Sequence, residues 1–200
     1  MAMVNGQPKY VTALGASNEV GGWRSHKADG GIVMDVERNE VVLWGLSMPH
    51  SPVWYQDHLW FHNSGRGELW RWDPATGQTT VVAELPGYGR GLSMVTLGNG
   101  RTYAIAGTCQ IREQHIFGGL PIQQRLSQLV CGVLVIDVAT GQEVGRFQFQ
   151  QGCQELYGVR FLAGKTRPTL LDPADDVAAK GFVCPEVAYW LRPSALLPNP

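Results

Sequence analysis

Three polar side chains stand at matching places in this 200-residue chain. His50 lies in MPHSP (Met48 to Pro52), Arg90 in PGYGRGL (Pro86 to Leu92) and Glu155 in GCQELYG (Gly152 to Gly158), each just ahead of a β-rich run. An imidazole can serve as general base or metal ligand. A guanidinium offers a planar fork to a carboxylate or phosphate, and the glycines beside Arg90 let a ligand approach closely. A carboxylate can ligate a divalent metal or move a proton. Each group also has a structural role open to it. His50 can bond backbone in a turn between two prolines, and Arg90 can pair with Glu155 across neighbouring modules.

Other patterns are weaker. His58 and His62 have chelating spacing only on a helix. HLWFH is aromatic and alternating, so it predicts a strand that sets the two rings about 13 Å apart, too far for one metal. Trp72-Asp73 matches the signature dipeptide of another propeller class, but the companion Gly-His and its spacing are missing. Ser51 and Ser64 lack a G-x-S-x-G setting. GYGRG lacks the Lys-Ser/Thr and the helix of a phosphate loop.

The elements that must position these groups show up as a repeat. Gly30 to Leu46, Gly67 to Leu85 and Cys131 to Phe149 share one plan. A β-rich run ends in Asp (Asp35, Asp73, Asp137), a tight turn follows, and a second β-rich run returns. Repeated hairpins of this kind predict an all-β, propeller-like array of four-stranded blades. Alternation and turn residues place strands at Lys9–Ala16, 31–36 and 40–46 in the first blade. The second takes 51–55, 58–63, 68–73 and 78–85, with Pro74 and Gly77 in its turn. The third takes 91–97, 102–108, 132–138 and 143–149, and LYGVRFL with RPTLL opens a fourth. About three and a half blades are then expected over 1–171, with the first blade lacking its inner strand. A Pro-rich tail over 172–200 follows, with one further strand within Val183–Leu191. Such an array leaves strand edges open, so either the tail completes a small ring or, as the favoured reading, the chain is a piece of a larger propeller that missing N-terminal blades or another chain completes.

Alternating chain direction puts the short Asp turns on one rim. The opposite rim receives His50, Arg90 and Glu155, which should meet at the mouth of the channel lined by the inner strands. Ser51, Asn63 and Ser64 are expected there too. So is an insert over Cys109 to Val130 that begins with Gln110, Arg112 and Glu113. Loops this long in a compact domain are usually functional or disordered. Pro121 is expected to start a helix running to Leu129, with Leu126, Leu129 and Val130 packing down as a lid.

GLSMPHSP, LWFHNSGRGEL, LPGYGRGL, IREQHIFGGLPI, CGVLVIDVATG and QELYGVRFL together resemble a conserved, uncharacterised bacterial family built on a domain of unknown function. Some of its members carry tetratricopeptide repeats. The resemblance covers nearly all of the first 170 residues. Members are longer at the N-terminus, with a His-Leu-Asn-Gly-like stretch ahead of Ala2-Met3-Val4-Asn5-Gly6. The resemblance therefore implies a truncated start that removes one residue from the channel mouth. It implies no particular activity.

Composition narrows the field. The net charge of −1 argues against a dedicated nucleic-acid binder. No apolar run reaches the roughly 20 residues of a membrane span, and the start lacks the regions of a secretory signal, so a cytoplasmic location is expected. Cys109, Cys131, Cys153 and Cys184 form no CxxC pair, and reduced thiols are expected rather than zinc or disulfides. Two functions fit. One is a propeller that binds a small anionic or peptide ligand at the channel mouth. The other is a metal-dependent hydrolase or lactonase, with His50, Asn63 and Glu155 around a divalent ion and Arg90 polarising the substrate. The fold hosts both.

Overall fold

The computed structural model describes residues 1–111, 118–166 and 168, and the strand backbone at 181–183 and 188–190. The chain divides into two compact units, Met1–Phe161 and Leu162–Pro200. Among the described residues no helix is long and apolar enough to cross a membrane.

The first unit is all-β, with three four-stranded antiparallel sheets whose strands follow chain order. The first sheet holds β1 (Ala2–Val4), β2 (Gln7–Ala13), β3 (Gly31–Asp35) and β4 (Glu40–Leu46). The second holds β5 (Pro49–Tyr55), β6 (His58–Asn63), β7 (Glu68–Trp72) and β8 (Thr79–Glu84). The third holds β9 (Tyr88–Thr96), β10 (Thr102–Cys109), β11 (Gly132–Asp137) and β12 (Gln142–Gln148). First strands of successive sheets touch: β1 and β2 meet β5, and β5 meets β9. This is the radial order of consecutive blades in a partial propeller. In the second unit, β13 (Gly181–Val183) pairs antiparallel with β14 (Ala188–Trp190).

Period-two alternation explains how the middle sheet is held. Strand β6 is buried along nearly its whole length, because both of its faces are covered. Leu59 and Phe61 turn toward the first sheet and join Tyr10, Val33 and Leu46. Trp60 turns the other way and joins Leu92, Ala104, Ala106, Leu134 and Ile136 of the third. The small Ala104 and Ala106 share this buried cluster with the indole, a large-against-small combination. Each such side chain contributes about 1.5–3 kcal/mol through burial.

Two expectations need correction. The first blade does have an inner strand, β1, paired to β2. Asn5 and Gly6 both have positive φ, 51° and 78°, which is the hairpin geometry that the Asn-Gly dipeptide favours. The strand expected over LYGVRFL is not formed, and 153–162 has no regular structure. That segment instead runs beside β9, where the Phe161 N–H donates to Ser93 Oγ at 3.1 Å.

The Asp turns cap their own hairpins. Asp35 Oδ1 accepts the N–H groups of Glu37 and Arg38, both at 3.1 Å. Asp73 accepts the Ala75 N–H at 2.9 Å and the Thr76 hydroxyl at 2.8 Å. Asp137 accepts the Ala139 N–H at 3.0 Å. These are Asx turns, in which a short carboxylate replaces a missing backbone partner. A cation backs two of them: Lys9 Nζ lies 3.0 Å from Asp35, and Arg101 pairs with the buried Asp137. Burial pushes the Asp35 carboxyl up, but Lys9 and the two N–H donors outweigh it and hold the group below its ordinary range.

Asp137→Ala should therefore cost about 1–3 kcal/mol, seen as a lower denaturant midpoint at unchanged m-value. The turn between β5 and β6 predicts the reverse effect. Gln56 and Asp57 both hold positive φ, 49° and 58°, which costs an L-residue energy. Asp57→Gly should raise stability by about 0.5–1 kcal/mol, measured by the same denaturation.

Candidate functional site

The inner strands β5 and β9 each carry one residue too many. Between His50 and Val53 three steps of β5 oppose two steps of β6. Between Gly89 and Leu92 three steps of β9 oppose two of β10. These are β-bulges, which bend a strand and re-aim its side chains. Ser51 and Gly91 take the positive-φ position in each, at 55° and 79°. His50 and Arg90 directly precede them, so they are equivalent positions in two successive blades.

A bulge leaves backbone groups unpaired, and here the second sheet supplies the partners. The Gly91 N–H donates to Ser51 Oγ at 2.8 Å. The Gly91 carbonyl accepts His62 Nε2–H at 3.0 Å. The Gly89 carbonyl accepts the Ser64 hydroxyl at 2.6 Å. Gly89 must lack a side chain, because a Cβ there would lie 2.6 Å from Cγ of the buried His62 ring. Nearby, the Ser47 N–H donates to Asn63 Oδ1 at 2.7 Å.

These bonds separate the expected site residues. His50, Arg90, Gln110 and Glu155 line one cavity of about 240 Å³. Asn63 and Ser64 do not reach it. Both are wholly buried, with Asn63 Oδ1 and the Ser64 hydroxyl committed to backbone, so the set of His50, Asn63 and Glu155 is not assembled around one point. Ser51 serves the bulge and faces a different hollow, beside Trp54 and Gly91. Arg112 and Glu113 lie outside the described residues. His58 and His62 are separated as expected: His58 bonds the Gln56 carbonyl at 2.6 Å, while His62 is buried opposite His50. Among the described residues, no group of three or more His, Cys, Asp or Glu could hold a metal.

Met48, Tyr88, Cys109, Leu14 and Ile111 complete the cavity wall. The first two precede His50 and Arg90 by two positions, so strand alternation puts them on the same face. That period was the available signal for them. The insert packs onto the same rim. Leu120 and Ile122 join Met48, Tyr88 and Cys109 in a buried cluster, with Leu126 and Leu129 against it. Its helix is a single turn, Ile122–Arg125, and the chain is extended at Leu126. Gln123 Oε1 explains the start of that turn by accepting the N–H groups of Gly119 and Leu120, at 2.6 and 3.2 Å. Arg125, given no role from the sequence, anchors the insert. It donates to the Gly67 and Leu85 carbonyls, both at 3.1 Å, and to Glu84 at 3.2 Å.

Charge states follow from burial. Burial pushes the His50 imidazole down to about 4, with Arg90 adding to the effect against a hydrogen bond to Met48. His50 is thus neutral near pH 7. Its Nδ1 lies 2.8 Å from the Met48 carbonyl and 3.2 Å from the Tyr88 hydroxyl. The shorter contact assigns the proton to Nδ1 and leaves Nε2 as the acceptor. Burial also raises the Tyr88 phenol and the Cys109 thiol, and both keep their protons. Arg90 stacks over the Tyr157 ring, 4.6 Å from its centroid. The Arg90–Glu155 pairing that the sequence left open is not among the ion pairs of the described residues, and neither is any other carboxylate on Arg90. Glu155 accepts the Tyr157 hydroxyl at 3.1 Å.

A family model described as Domain of unknown function (DUF4915) matches residues 1–171, and the chain belongs to that family. No curated protein matches it.

His62 is likewise held at about 4 by burial, against its bond to Gly91. Between that value and the ordinary 6.5 of histidine, the unfolded chain binds protons that the folded chain refuses, so stability rises with pH across this window. Acidification from neutral to about pH 5 should therefore lower the unfolding midpoint, with a slope approaching about 1.4 kcal/mol per pH unit for each histidine. His50→Gln should remove close to half of that slope in denaturation curves measured across the range.

Proposed function

We propose that this family member is a binding module whose rim cavity takes a small molecule bearing a carboxylate, or the terminal carboxylate of a peptide. The observation that carries the reading is Arg90: a guanidinium fixed in a cavity wall by a bulge and an aromatic stack, with no carboxylate of the described chain paired to it. Such a group binds carboxylate through two parallel N–H donors. The cavity volume of about 240 Å³ sits just below the usual range of ligand pockets, roughly 300–1,000 Å³, so the ligand is small. Leu14, Met48 and Ile111 give the cavity apolar wall, and Gln110 and Glu155 supply polar groups that would orient a second functional group. Recognition is favoured over proton-transfer catalysis. A general base works best with a pKa near the working pH, whereas His50 sits near 4 and Tyr88 and Cys109 hold their protons.

The test is calorimetric titration of the whole chain with a panel of small mono- and dicarboxylates, compared with Arg90→Gln. Loss of a charge-assisted pair should weaken binding by at least about 10-fold. Absence of binding by every carboxylate, or equal affinity in Arg90→Gln, would sink the proposal. A divalent ion that proves necessary for binding, and is lost in Glu155→Gln, would favour the hydrolase instead.

A further inference from the structure

A pair of thiols lies outside the chemistry described so far. Cys131 is wholly buried just before β11, and Cys153 is half-buried in the irregular segment after β12. Their sulfurs are 3.8 Å apart, and both are reduced. A disulfide needs a separation near 2.05 Å, so closure requires an approach of roughly 1.8 Å.

The two sides differ in their freedom to make that approach. Cys131 is held by the sheet, its carbonyl accepting the Phe149 N–H at 3.0 Å. Cys153 belongs to a stretch without regular structure, 153–162, and besides the Cys131 sulfur, its sulfur meets the Glu155 carbonyl at a long 3.4 Å. Cys109 is a poorer partner. It is buried, and its sulfur already bonds both the N–H and the carbonyl of Leu156, at 3.0 and 3.1 Å.

We propose that Cys131 and Cys153 form a dithiol modification site that reacts with a low-molecular-weight disulfide of the glutathione type and closes to an intrachain bridge. The Cys153 thiolate attacks one sulfur of the small disulfide. A mixed disulfide forms and one small thiolate leaves. Cys131 then loses its proton and attacks the Cys153 sulfur, displacing the second small thiolate. Two protein thiols lose two electrons, and the small disulfide gains them as two thiols. The order follows from exposure, since the attacking thiol must be reachable. Burial pushes the Cys131 thiol up to about 12, so it resolves the mixed disulfide and does not start the exchange. The bridge would staple the start of β11 to the segment that carries Glu155.

The experiment incubates the whole reduced chain with oxidised glutathione, then maps peptides without reduction. The expected result is a cross-linked peptide joining Cys131 to Cys153, with no retained glutathione, and a melting temperature raised by about 5–10 °C. Cys153→Ser, a mild change at a half-exposed site, should abolish both the cross-link and the thermal shift. A glutathione adduct that persists on Cys153 would overturn the proposal. So would closure onto Cys109 or Cys184, or no reaction at all.

Discussion

The rim cavity depends on one constraint: a strand with an extra residue must find partners for the backbone groups that its neighbour can no longer pair. Strands β5 and β9 each accept this at the same station. Ser51, His62 and Ser64 satisfy the groups displaced around Gly89 and Gly91. His62 does so from a wholly buried ring, and only while Gly89 leaves space for it. With those bonds in place, His50 and Arg90 turn toward the cavity as a matched pair. Without them the strands would regularise, and both side chains would shift by one position to the opposite face.

The two rims divide the work. On one, Asp35, Asp73 and Asp137 cap short hairpins from within the turn, with Lys9 and Arg101 of the same blades backing two of them. These contacts are local and repeat from blade to blade. On the other rim the bonds join different blades, as between His62 and Gly91 or between Arg125 and the carbonyls of Gly67 and Leu85. Local capping tolerates insertions poorly but needs no neighbour. Cross-blade bonding needs a neighbour but leaves room for a long insert. The rim with the insert is therefore where ligand contacts can vary while the sheets stay the same.

What could be read from the sequence follows the range of each interaction. The Asp turns, the three-sheet repeat and the gathering of His50, Arg90 and Glu155 rest on alternation and turn chemistry, which act over a few residues. The bulges do not. Nothing local in MPHSP or PGYGRGL separates a loop from a strand with one extra residue, so both were placed in connections, whereas the structure puts His50 in β5 and Arg90 in β9. Asn63 and Ser64 were drawn to the rim for the same reason: short polar side chains after a strand look exposed, and only the bulge opposite reveals why they are buried. The missing inner strand of the first blade is a different kind of error. Asn5-Gly6 is a hairpin signal, but only a few residues precede it and they show no alternation long enough to mark a strand. The insert's helix was overextended because Pro121 marks a start and nothing nearby marks the stop after one turn.

The electrostatics of the cavity also bear on the sign of what it can hold. His50 loses its proton first because burial denies it water, and second because Arg90 already supplies a positive charge nearby. One cation in a confined site opposes another. An arriving anion reverses both effects of that charge: it pairs with Arg90 directly and removes the repulsion that Arg90 exerts on His50. On the proposed reading, a ligand carboxylate would bring His50 closer to its ordinary range, and protonation would turn the Nε2 acceptor into a donor. An arriving cation gains nothing from Arg90, and the Glu155 carboxylate already accepts the Tyr157 hydroxyl. On the proposed reading, Arg90 gives an arriving anion a partner in this cavity that a cation would lack.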